Sequence, residues 1–255
     1  MKSRDVRLQF GRAAEAYATS SVHARGADLD PIVDYARPRP TDVVLDVSTG
    51  AGHTAMTLAP HVARVVAVDL TPEMLAVAGR LAAGRGLRNI EFREADVRRL
   101  PFPDGLFDIV TCRTAAHHYP DLAQAVREMA RVLRAGGRLV ISDTISPADE
   151  VADRFINAVE TLRDPTHVRD WSVAEWESAL AAAGLTIQAA QEIPLELDFE
   201  DWVRRSDTPP ELREVLASML QSAPARLRTL FQVKTAPLRF SLRKAVFLAT
   251  RPADA

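Results

Sequence analysis

A single cysteine, Cys112, is all the thiol chemistry in this chain of 255 residues. No disulfide can form within it, and a reducing compartment is expected. There is no run of about 18 apolar residues, the length that spans a bilayer. The opening "MKSRDVRLQF" is charged and lacks the apolar segment of a secretory signal. Together these absences predict a cytoplasmic protein with no membrane span. Basic charge is not in excess either: 32 Lys and Arg face 34 Asp and Glu, a net −2. That balance argues against a surface built to neutralise a phosphate backbone, and so against nucleic acid as a partner. Repeats, low-complexity tracts and Ser/Gly linkers are missing too, so one compact unit is expected. What is present is a globular composition, 47% hydrophobic and 26% charged, long enough for one α/β domain with embellishments.

Between residues 42 and 145 short β-branched runs alternate with helical stretches. "DVVLDV" (42–47), "ARVVAVDL" (63–70), "IEFREA" (90–95), "FDIVTC" (107–112) and "GRLVISDT" (137–144) read as strands. Helical segments lie between them, which predicts a parallel sheet covered on both faces. Thr71 is placed to cap the helix opened by Pro72. Asp121 with Gln124, and Ser172 with Glu175, read as capping boxes. Gly136 and Gly137 are expected to end the helix after Asp121, and Gly184 the one after Ser172. Residues 1–36 read as helical. Beyond 145, helices are expected around 149–162, 173–183 and 210–220, and strands over 185–197 and 238–251.

"VVLDVSTGAGHTA" (43–55) places a bare turn directly after the first strand. A triphosphate-binding loop needs Lys followed by Ser or Thr after its last glycine, and here His53 and Thr54 follow Gly52. Gly50-x-Gly52-x-x-Ala55, with Asp69 about 20 residues further on, does fit a dinucleotide site. Asp46 weighs against it, because a carboxylate at the strand end repels a pyrophosphate. It suits a ligand end bearing an ammonium, as in S-adenosylmethionine (SAM), which carries an α-ammonium, a sulfonium and no phosphate. After the third strand, Asp96 can accept from an adenine amine while Val97 offers an apolar wall.

Asp46, Gly50, Gly52, Asp69 and Asp96 together resemble the class I SAM-dependent methyltransferases. The tract "LPFPDGLFDIVTCRTAAHHYPDLAQAVREMARVLRAGGRLVISD" is similar to the branch containing the ubiquinone/menaquinone C-methyltransferases. The resemblance covers residues 40–145. It implies a Rossmann-like sheet of seven strands in the order 3-2-1-4-5-7-6, the last antiparallel, with helices on both faces and a helical cap. Residues 1–36 would be a lid, 37–145 the SAM-binding core, and 146–255 a cap with the strands that complete the sheet. Asp46, Ser48, Gly50 and Gly52 would meet the methionine part of SAM, Asp69 with Leu70 the ribose, and Asp96 with Val97 the adenine. Arg113, beside Cys112, would border the sulfonium, and Phe10 and Tyr17 would cover the donor. The family usually has glycine where this chain has Ser48. A positive φ there would cost serine about 1–2 kcal/mol, whereas a negative φ would accommodate it.

His117 and His118 follow the fourth strand, and either is a candidate general base, since imidazole titrates near neutrality. The plain alternative is that one packs under the lid and the other is solvated. No metal is expected, because the other histidines are scattered and no His/Cys cluster accompanies the pair. The Asn/Asp-Pro-Pro-aromatic motif of base-modifying methyltransferases is replaced by "TCRTAAHH". A small-molecule acceptor is therefore expected, the resemblance implies one of the quinol, phenol or isoprenoid-like type, and a homodimer is compatible with the sequence. Trp171, Trp176, Trp202, Phe155, Phe199 and Phe231 are candidates for an apolar acceptor pocket, with core packing as the alternative. A SAM-binding protein without methyl transfer and an NAD-dependent dehydrogenase are the rival functions.

Overall fold

The structure is a computed structural model and describes residues 6–19 and 24–253, with side chains over 6–15 and 24–253. Five strands, β1 (Val43–Val47), β2 (Arg64–Asp69), β3 (Ile90–Glu94), β4 (Phe107–Arg113) and β5 (Leu133–Ser146), pair in parallel in the order 3-2-1-4-5. Their register sets Leu45 beside Val66 and Val110, so the apolar runs of the sequence stack into the middle of the sheet. β6 is Trp171–Ser172, β7 Thr186–Asp198, β8 Lys234–Thr235 and β9 Leu238–Thr250. β9 runs antiparallel to β5, from Arg138 opposite Thr250 to Ile145 opposite Arg243, and β7 pairs antiparallel with its far side. Counting only the seven long strands, the order is the expected 3-2-1-4-5-7-6 with the last antiparallel. β6 and β8 make nine, and two residues are too few to show the alternation that marks a strand.

The helices are α1 (Val6–Thr19), α2 (Leu29–Ala36), α3 (His53–Leu58), α4 (Pro72–Gly84), α5 (Leu122–Val132), α6 (Glu150–Arg163), α7 (Val173–Ala182), α8 (Phe199–Arg205), α9 (Pro210–Ser222) and α10 (Ala225–Leu230). Helices α5 and α7 bury Val126, Met129, Trp176 and Leu180 with one set of strand side chains. Ile32, Ala36 and Leu58 of α2 and α3 pack with Val44, Val140 and Val246 in a second cluster. Among the described residues no helix is long and apolar enough to cross a membrane.

Local signals behave as their chemistry requires, with three corrections. Ser172 with Glu175 closes a full capping box, but the one expected at Asp121 is half made: Asp121 accepts the Gln124 amide at 2.8 Å, while the Gln124 side chain donates to the Arg98 carbonyl. Thr71 stands before Pro72 but makes no side-chain cap, because its hydroxyl and its amide are both drawn to Asp69. Gly136 and Gly137 do not end α5, which stops at Val132 and passes straight into β5. The two glycines instead shape the register shift in β5. Gly136 is left-handed at φ 70°, and a Cβ on Gly137 would lie 2.8 Å from the Arg134 carbonyl.

β7 and β9 overhang the end of β5, and the overhang carries a core of its own. Leu197, Phe199, Trp202, Leu216, Leu220, Phe231 and Phe240 close it with Ile156 and Val159 of α6. This corrects the expectation for the aromatic residues. Phe199, Trp202 and Phe231 are buried here with Phe155 against them, and Trp176 lies in the core beneath the sheet. Trp171 packs at the edge of that core with Arg169 over its ring. None of the six lines the cavity described next.

Candidate active site

Parallel strands deliver their carboxyl ends to one edge of the sheet, where the chain turns back into helices and leaves a crevice. A cavity of about 360 Å³ opens there. Asp46 near the end of β1, Asp69 at the end of β2 and Asp96 after β3 all line it. The three carboxylates anticipated from sequence thus share one groove.

Asp46 is 1% exposed. Thr111 donates to its Oδ1 at 2.6 Å and Thr49 to its Oδ2 at 2.5 Å. Burial raises its pKa to about 6 against the pull of those hydroxyls and of the Ala55 amide. Asp69 also rises with burial. It braces the turn, accepting the Gly50 amide at 2.8 Å and the Thr71 amide at 2.9 Å. The Thr71 hydroxyl and the Leu70 amide reach the same carboxylate. Asp96 is held below the ordinary carboxylate range by Arg98, whose guanidinium spans both of its oxygens. Leu70 and Val97 supply apolar wall beside it.

The turn itself is left-handed at three points, Ser48 (φ 52°), Gly50 (φ 52°) and Gly52 (φ 82°). A Cβ on Gly52 would lie 2.9 Å from that of Ala78 in α4, so both backbone and packing demand glycine there. Ser48 takes the strained alternative and not the negative φ that would have accommodated it. Its Oγ lies 2.7 Å from the Tyr119 hydroxyl.

Arg113 lines the cavity but is committed to Asp28, with Nε and Nη2 at 2.8 and 2.7 Å from its two oxygens. Lys244 of β9 also donates to Asp28, and to Thr114 Oγ1 at 2.7 Å. Burial alone would raise the Asp28 carboxyl, but these cations hold it well below its usual range. The cavity therefore presents carboxylates, and both arginines on its lining, Arg98 and Arg113, are ion-paired. That donor set fits a ligand bearing an ammonium and a sulfonium better than a pyrophosphate.

The two histidines divide sharply. His117 Nδ1 lies 2.7 Å from Asp143 Oδ1. Burial would depress this imidazole, but the charge and hydrogen bond of Asp143 override it and raise the pKa to about 9. His117 is thus an imidazolium at neutral pH and does not line the cavity. Of the two histidine candidates, His117 is therefore the one turned to Asp143 and away from the cavity lining. His118 does line the cavity. Its Nδ1 lies 3.1 Å from the Thr166 carbonyl, which can only accept, so Nδ1 carries the proton and Nε2 is left as the acceptor. Burial and the neighbouring His117 charge, with ring centroids 4.2 Å apart, hold it neutral with a pKa of about 4. Phe10 of α1 meets the His118 ring edge-on at 4.9 Å. The Tyr17 side chain lies outside the described residues.

Asp143, unremarked in the sequence, is the hub of this corner. Its Oδ2 accepts the amides of Ala115, Ala116 and His117 at 3.2, 2.6 and 3.2 Å. The readable signal was a third β-strand presenting an acid near the sheet's carboxyl edge, like Asp46 and Asp69. Thr166 and Val168 come from the loop after α6, anchored where the Val168 and Arg169 amides bind the His117 carbonyl at 2.8 and 3.1 Å. No sequence pattern announced them.

Comparison with known proteins agrees with this geometry. A sequence profile described as a methyltransferase domain matches residues 45–141. An uncharacterized methyltransferase of Bacillus subtilis, YcgJ, is 40% identical over 222 residues, covering 87% of this chain and 88% of that protein. The crystal structure of a putative methyltransferase from Bacillus halodurans superposes with a TM-score of 0.86 at 35% identity, covering 89% of this chain and all of that one. A demethylmenaquinone methyltransferase of Thermus thermophilus is 42% identical over 127 residues, 48% of this chain and 57% of its own length. On the strength of a relative matched along nearly its whole length and of the groove at the sheet edge, the chain belongs to the class I SAM-dependent methyltransferases, resembles their ubiquinone/menaquinone branch, and is an enzyme of SAM-dependent methyl transfer.

Proposed function

We propose that the acceptor is a small molecule offering a hydroxyl or an acidic carbon, of the quinol, phenol or isoprenoid type, and that His118 is the general base. The observation that carries the reading is the free Nε2 of a neutral His118 on the cavity wall. When bound, SAM supplies a methyl group already activated by its sulfonium. Asp46 receives the ammonium, the turn Ser48–Gly52 the rest of the amino-acid part, Asp69 with Leu70 the ribose, and Asp96 with Val97 the adenine. Arg113 borders the sulfonium as an ion-paired wall, so its charge is not spent on a ligand. Residues 1–36 act as lid, 37–145 as donor-binding core and 146–255 as cap.

His118 would take the proton that the acceptor releases as its nucleophile bonds to the methyl carbon, the methyl–sulfur bond breaking with its electron pair kept by the leaving S-adenosylhomocysteine. The resulting imidazolium keeps Nδ1–H on the Thr166 carbonyl and hydroxyl, and that hydroxyl donates to Asp164 at 2.7 Å. Alignment of the reactants can supply roughly 7–11 kcal/mol, and a positioned base adds about 10²–10⁴-fold. Support for the quinol class comes from the named activity of the demethylmenaquinone relative and from apolar Phe10, Ala115 and Val168 on the cavity lining.

The test is radiolabelled methyl transfer from SAM to hydroquinones, phenols and isoprenoid alcohols. Methylation of one class, reduced at least a hundredfold by His118→Gln, supports the proposal. SAM binding without transfer to any of them would overturn it in favour of a binding-only protein. Binding of NAD in place of SAM would overturn the donor site itself.

A further inference from the structure

Ser48 holds a left-handed conformation that glycine would adopt without strain, so its side chain should do something glycine cannot. Its Oγ lies 2.7 Å from Tyr119 Oη, and Tyr119 Oη lies 3.3 Å from Cys112 Sγ. Cys112 and Tyr119 are buried, at 1% and 6% exposure, and burial raises the Cys112 thiol, so it keeps its proton. Three hydroxyl or thiol hydrogens therefore serve two contacts. The geometry admits either member of each contact as donor, and the order that leaves Ser48 its own O–H runs thiol to phenol and phenol to Ser48 Oγ. Ser48 then retains its own O–H, and it lines the cavity two residues beyond Asp46.

We propose that Ser48, held and polarised by Tyr119, donates a hydrogen bond to the carboxylate of the donor's amino-acid part, with Tyr119 as its positioning residue. Asp46 and Ser48 then divide that zwitterion, the acid taking the ammonium and the alcohol the carboxylate. Tyr119 directly follows the 3₁₀ turn Ala116–His118, so the same hydroxyl pair ties the donor turn to the segment bearing His118. The inference rests on the donor-site reading above.

The experiment is calorimetric binding of S-adenosylhomocysteine, of its decarboxylated analogue and of adenosine, with thermal melts of each variant as a folding control. Ser48→Ala should weaken S-adenosylhomocysteine about tenfold, equivalent to about 1.4 kcal/mol. Tyr119→Phe should weaken it roughly threefold to fivefold. Both should leave the decarboxylated analogue and adenosine within about twofold of wild type, and Tyr119→Phe should be silent in a Ser48→Gly background. Equal losses for the analogue, a persisting Tyr119→Phe effect without Ser48, or unchanged S-adenosylhomocysteine affinity would each overturn the proposal alone. Wild-type protein that does not bind S-adenosylhomocysteine would overturn the donor-site reading and this proposal with it.

Discussion

Lowering the pH from 7.5 to 5 should weaken S-adenosylhomocysteine binding about tenfold, through Asp46. Among the described residues this carboxyl has hydroxyl and amide donors and the charge of Arg113 but no salt bridge, and burial raises its pKa to about 6. The bound ammonium requires the carboxylate, so proton and ligand compete for one site. The sign follows: affinity is full well above pH 6 and falls by about tenfold per pH unit below it. At pH 5 about ten molecules in eleven carry the proton, a loss of about 1.4 kcal/mol. Calorimetry in buffers of different ionisation enthalpy measures this directly, because about half a proton should be released per ligand bound at pH 6. Asp170 also titrates in this window, at about 7, but it lies behind His117 and does not line the cavity. Asp46→Asn separates the two: it should bind more weakly at pH 7.5 and show no pH dependence. A dissociation constant flat between pH 7.5 and 5, or a dependence that survives in Asp46→Asn, would refute the reasoning.

Three further outcomes are expected. His118→Gln should lower kcat by about 10²–10³ with little change in KM for SAM, while an equal fall in both would mark a structural role. Asp143→Asn should cost about 3 kcal/mol or more in urea unfolding, because it strands a buried imidazolium. The pair's pH dependence has a definite sign. His117 is raised to about 9, so its contribution is complete below about 6.5 and lost as pH rises through 9, and Asp143 is lowered to about 2, so its contribution fades only below about 3.8. Melting temperature should therefore drop through pH 9 in wild type and not in His117→Gln. Gly52→Ala should destabilise the fold by about 1–3 kcal/mol and abolish donor binding, since a Cβ there meets both a left-handed φ and the Ala78 methyl. Circular dichroism and calorimetry read the two effects separately.

The sheet was legible because parallel strands buried on both faces must be continuous apolar runs, and the acids at their ends mark the crevice. Ser48 shows where legibility stops. Its residue type permits either sign of φ, and the positive one comes with a contact to Tyr119, 71 residues away. His117 and His118 are chemically identical in sequence and opposite in the fold. What separates them is Asp143, 26 residues from the first, and Thr166, 48 residues from the second. Helices α8 and α10, of seven and six residues, are too short to display a period. The cap's aromatics stood between pocket and core for a related reason: whether a tryptophan faces a ligand or another aromatic depends on contacts between distant segments. Trp202 stands edge-on to Phe240 at 4.9 Å, and nothing near either residue says so.

That aromatic mass beyond β5 bears on how such an enzyme changes what it methylates. Phe199, Trp202, Phe231 and Phe240 are buried against one another, so stability of this region is indifferent to the guest in the cavity. The wall positions contributed from beyond β5 are Thr166 and Val168, on a short loop between two separately packed interiors. Exchanges of the Thr166 and Val168 side chains should therefore alter the cavity wall while leaving the aromatic cluster untouched.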